Sequence, residues 1–111
     1  MFALRDDPFQ WYLDDVSIMD KSGHQLLSNG GFETGDTTDW IYCNPRNATY
    51  SGHADSTCAH TASYCYLDGS VGASDYLSQT FTVAPYNNYA IKFYLSAESN
   101  SSTFAQVYVT S

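Results

Sequence analysis

The chain has 111 residues, which fits a single domain, and 43% of them are apolar, enough to build a core. Its formal net charge is −8, and Arg5, Lys21, Arg46 and Lys92 are its only Lys and Arg. That excludes a nucleic-acid binder, which needs clustered cations to displace counterions from phosphate, and it disfavours anionic membrane surfaces. No apolar run approaches the roughly 20 residues that cross a bilayer, so no membrane insertion is expected. Charged residues make up only 14%, their place taken by Ser, Thr, Asn and Gly, a balance that suits an extracellular β protein.

In chain order, Met1 to Asp7 contains no signal-peptide apolar region, so a secretory segment is expected upstream of this sequence. Trp11 to Ile18 reads as a strand whose apolar phase slips: Leu13 is odd, Val16 and Ile18 are even. A β-bulge at Asp14-Asp15 reconciles the two phases. Lys21 to His24 is a turn, Gln25 to Ser28 a short strand, and Asn29-Gly30-Gly31 a break. Thr38 to Tyr42 and Ser63 to Leu67 are further short strands. Leu77 to Val83 alternates with period two, as do Tyr89 to Leu95 and Phe104 to Thr110. Ile91, Phe93 and Leu95 share one phase and Ala105, Val107 and Val109 another, all expected to point inward. These last three strands, joined by polar turns, predict an antiparallel meander. No amphipathic helix and no internal repeat is found.

Cys43, Cys58 and Cys65 leave one cysteine over after pairing. Disulfide use is favoured over zinc, because neither C-x-x-C nor H-x-x-x-H spacing occurs. Of the three pairings, Cys43 with Cys58 or with Cys65 is preferred, as a staple of about 3 kcal/mol between strand exits. Asn47-Ala48-Thr49 and Asn100-Ser101-Ser102 are N-glycosylation sequons, Asn47 and Asn100 being the acceptors. Sequons and cysteines together favour an oxidising, extracellular setting.

Leu26 to Gly35, followed by Trp40, resembles the opening of jelly-roll modules of the galactose-binding-like superfamily, which includes many carbohydrate-binding modules. Trp11 to Ile18 resembles the closing strand of the same family, and Asp68-Gly69-Ser70 through Phe81 its middle. The closing motif here precedes the opening one. The resemblance therefore implies an all-β, antiparallel jelly-roll-like sandwich that is incomplete or circularly permuted. Residues 1–20 would be the closing strand of a preceding or neighbouring module and residues 21–111 the main module. Phe2 to Ile18 would then complete the sheet of a neighbouring copy, and head-to-tail donation without closure gives a filament.

The same resemblance implies a structural calcium held by Asp14 or Asp15 and Glu33. Calcium takes six to eight oxygens at about 2.3–2.6 Å. The competing reading is that the two aspartates only shape a bulge and Glu33 only solvates a loop. A glycosidase dyad needs two carboxylates roughly 5–9.5 Å apart in a cleft, and loop aspartates with two glutamates do not suggest one. No G-x-S-x-G frames a serine for the available histidines. No enzyme is therefore expected, and no catalytic residue is assigned. Tyr94 and Tyr108 fall on the polar phase of their strands and are expected outside, as sugar-stacking or subunit-contact rings, with Trp11 and Trp40 as further candidates. The expected function is a structural or adhesive repeat unit of a glycosylated extracellular assembly whose partners are copies of itself. The alternative is a carbohydrate-binding module with an exposed aromatic face.

Overall fold

A computed structural model describes residues 1–7, 9–98 and 103–110. Among them are eight strands: β1 (Phe2–Asp6), β2 (Trp11–Met19), β3 (Ile41–Cys43), β4 (His53–Asp55), β5 (Cys65–Asp68), β6 (Asp75–Ser78), β7 (Ala90–Ala97) and β8 (Thr103–Val107). They form two antiparallel four-stranded sheets, in the orders β3-β6-β1-β8 and β4-β5-β2-β7, packed face to face. Among the described residues no helix is long and apolar enough to cross a membrane.

The apolar alternation produces this arrangement. On β1, Phe2 and Leu4 are buried, with Phe2 between Leu77 and Val107 and Leu4 between Asp75 and Ala105. On β2, Leu13, Val16 and Ile18 are all buried despite their mixed parity. Asp15 takes a left-handed φ of 52°, and the pairing with β7 jumps between Asp14 and Ser17. This is the bulge expected at the two aspartates; the extra residue restores the inward phase of Val16 and Ile18. Phe32 and Trp40 stack with ring centres 5.5 Å apart, and Phe32 lies 5.6 Å from Tyr66, which anchors the core between the sheets.

The meander is not what forms. β6 and β8 share a sheet but are separated by β1, while β7 pairs with β2 in the opposite sheet. The N-terminal strands take the central places, β1 between β6 and β8 and β2 between β5 and β7. Phe2–Asp6 and Trp11–Met19 pair with strands of their own chain, one in each sheet. Gln25 to Ser28 makes only an isolated bridge, Met19 with Gln25. Beyond Ser78 the expected strand dissolves, and Gln79 instead exchanges two side-chain hydrogen bonds with the backbone of Ser28 (2.8 and 3.0 Å).

Candidate functional site

Two of the stretches singled out in the sequence, Trp11 to Ile18 and Leu26 to Gly35, meet in space. Val16 donates its N–H to the Gly30 carbonyl at 2.9 Å. A Cβ on Gly30 would lie 1.9 Å from the Val16 carbonyl oxygen, so only glycine lets the Asn29-Gly30-Gly31 break rest against the bulge. Asn29 holds the following loop through its side-chain NH2, which donates to Thr34 Oγ1 and the carbonyls of Asp36 and Thr38, while its own carbonyl accepts from Trp40 Nε1.

Both stretches then clasp a third, the loop between β4 and β5. Buried Asp14 accepts N–H bonds from Asp15 on one oxygen and from His60 and Thr61 on the other, at 2.7, 2.8 and 3.1 Å. Glu33 accepts from the N–H groups of Ser63 and Tyr64. Asp15 binds His60 Nδ1 at 2.7 Å and the Thr61 hydroxyl. Burial works to raise the Asp15 carboxyl, but those two hydrogen bonds prevail and hold it below the usual carboxylate range. The His60 ring lies flat on Tyr94, centres 3.8 Å apart.

The three carboxylates proposed for calcium all face the β4–β5 loop, Asp14 and Glu33 accepting from backbone N–H groups and Asp15 engaged by the His60 ring and the Thr61 hydroxyl. A cation needs oxygens, and these carboxylates face a fan of positive hydrogens, so the arrangement does not fit calcium. Among the described residues no group of three or more acidic, His or Cys side chains is placed to hold a metal.

The disulfide joins Cys58 to Cys65, Cα atoms 5.7 Å apart, and Cys43 is free and exposed. The preferred pairing of Cys43 is corrected for a topological reason. Cys43 ends β3 in one sheet, whereas Cys58 and Cys65 flank the β4–β5 loop of the other. Trp40 is buried, and half-buried Trp11 donates its Nε1–H to the Arg5 carbonyl. Tyr94 and Tyr108 are outside as expected, at 37% and 42% exposure, but one face of Tyr94 is under His60. Asn47 lies exposed in a turn, where a glycan could be accepted, and Asn100 falls outside the described residues.

Along β7 and β8 the sandwich is open among the described residues. Ile91 and Phe93 of β7 and Val107 of β8 point inward as their alternation predicts, yet remain 38–40% exposed. Among the described residues β7 and β8 each pair on one side only. Between them runs a cleft of about 930 Å³, lined by residues including Phe2, Ile18, Trp40, Phe81 and Tyr108, with no acidic or basic side chain in its wall.

A second feature was not foreseen. Asp68, the last residue of β5, and Asp75, the first of β6, are both buried between the sheets. Burial, followed by the nearby Asp75, pushes the Asp68 carboxyl up to about 8. Burial also raises the hydroxyls of Tyr66 and Tyr42 beside the pair. The signal in the sequence was slight: Asp75 shares the parity of Leu77, the inward phase of that strand.

The fold and its sites thus define an all-β sandwich with one clasped end, one open side and a buried acid pair. No protein family, curated protein or solved structure matches the chain.

Proposed function

We propose that the chain is a non-enzymatic structural or adhesive unit of a glycosylated extracellular assembly, in which copies join head to tail. The observation that carries this reading is the open side, where two strands whose outer edges are unpaired among the described residues flank an apolar cleft with no acidic or basic side chain in its wall. Such an edge is a template for another strand. The occupant we assign is a second copy, presenting its β3 edge. There Ile41 is 61% exposed, with Tyr42 and Cys43 beside it, and β3 is paired only with β6. Laying β3 of one copy along β8 of the next would make the sheet continuous, and this contact is heterologous, so it repeats instead of closing. A chain of charge −8 repels its copies, and a cleft without acidic side chains in its wall is where they can touch.

The resemblance to galactose-binding-like modules supports the extracellular setting, as does the Cys58–Cys65 disulfide, since such bonds persist in oxidising compartments. It also supports a second reading, sugar binding, for which Tyr108 on the rim of the cleft is the best-placed ring. Electron microscopy of the 111-residue chain, with retention on a polysaccharide column measured in parallel, separates the two. Regular fibres formed without sugar support the structural unit. Dispersed particles that bind the column, and lose binding in Tyr108→Ala, support the sugar reading.

A further inference from the structure

The buried pair sits where the chain crosses from one sheet to the other, Asp68 closing β5 and Asp75 opening β6. Asp68 is 0% exposed and Asp75 is 1% exposed. One oxygen of Asp68 accepts from the Ser70 hydroxyl at 2.7 Å and the Ser70 N–H at 3.3 Å; the other, Oδ2, has no partner. Asp75 accepts from the Gly52 N–H at 2.8 Å and, at 3.5 Å, from the Tyr66 hydroxyl. Gly52 is held to glycine here, for a Cβ would lie 1.9 Å from the Tyr66 oxygen.

Among the described residues no cation faces the pair. The titratable groups around Asp68 are Asp75 on β6, Tyr66 on its own strand and Tyr42 on β3, all acids. On the β2 side its partner in register is Trp11, and the Arg5 guanidinium of β1 is engaged with Asp7. Two adjacent carboxylates away from water and without a cation do not both ionise. We infer that Asp68 and Asp75 share one proton, carried on Asp68 Oδ2 and donated to Asp75, and that this bond is a pH-sensitive joint between the two sheets. The proton belongs on Asp68 because its buried Oδ2 lacks a partner unless it is itself the donor.

The direction of the pH effect follows. The unfolded chain releases this proton near the ordinary aspartate value of 3.8, and the folded chain keeps it until about pH 8. Its stabilising contribution is complete below the first value and is lost as pH rises to the second. One proton of difference changes the folding equilibrium by at most about tenfold per pH unit.

Denaturant unfolding of the chain and of Asp68→Asn from pH 5 to pH 8 tests the inference. The wild type should weaken steadily over this range, and the variant, whose amide donates to Asp75 at every pH, should lose most of that slope. An unchanged slope in Asp68→Asn would overturn it. Should the variant not fold, the 13Cγ resonance of Asp68 in the wild type decides: a titration midpoint above pH 6 supports the shared proton, and one near 4 refutes it. A gain in stability at pH 8 on adding calcium chloride, absent from Asp68→Asn, would also overturn it by giving the orphan oxygen to a cation.

Discussion

At the clasped end, a bulge from β2, the Gly30 break and the β4–β5 loop close over one another, and Asp14, Phe32 and Tyr66 lose all contact with water. Along the β7–β8 side, Ile91, Phe93 and Val107, apolar and in the same alternating pattern, stay more than a third exposed. What differs is coverage. At the clasp, a third layer of loop lies over the strands and is tied down by carboxylates and a disulfide; at the open side, among the described residues, no strand lies beyond the last one. Apolar alternation sets which way a side chain points, and topology sets whether anything covers it.

Substitutions should therefore divide sharply between the two regions. Phe32→Ala, which empties the centre of the clasp, should lower stability by about 3–5 kcal/mol in denaturant unfolding. Gly30→Ala, whose methyl meets a backbone carbonyl rather than a flexible side chain, should lower it by about 3 kcal/mol. Cys58→Ser opens a loop of seven residues' separation, and the chain-entropy relation gives a loss of about 2.5 kcal/mol. On the open side, Phe93→Lys should change the stability of the single chain by about 1 kcal/mol or less, because the ring is already 40% exposed. Comparable losses at Phe93 and Phe32 would erase the distinction. The smallest effect concerns calcium: because the Asp14, Asp15 and Glu33 oxygens are taken up by hydrogen bonds from the β4–β5 loop, millimolar calcium or a chelator should leave the melting temperature of the clasp unchanged, and a shift of several degrees would restore the calcium reading.

Much of the clasp was legible in the sequence. The parity slip from Leu13 to Val16 announced the bulge, and Asn29-Gly30-Gly31 announced a tight break, both being local features with local causes. The partners of those features were not legible. That Asp14 would cap His60, or that Cys58 would choose Cys65 over Cys43, depends on which strands lie side by side, and period-two patterns are silent on pairing. The same silence explains the meander that did not form: nothing in Leu77 to Val109 indicates that β1 and β2 insert between its strands. β1 and β4 were not read as strands from pattern; β4 has only three residues, and β1 ends in the charged run Arg5 to Asp7. The acid pair was hidden because a buried aspartate looks, residue by residue, like any of the turn-forming aspartates around it.

The central claim is that the open side is a joint for another copy, and sedimentation equilibrium over a hundredfold range of concentration tests it most directly. The account predicts that the weight-average mass of the wild-type chain climbs through successive multiples of 12.3 kDa without settling at a dimer, and that Ile41→Lys or Val107→Lys holds it at a single chain. A wild-type mass that stays at 12.3 kDa throughout, or variants that associate as the wild type does, would contradict it.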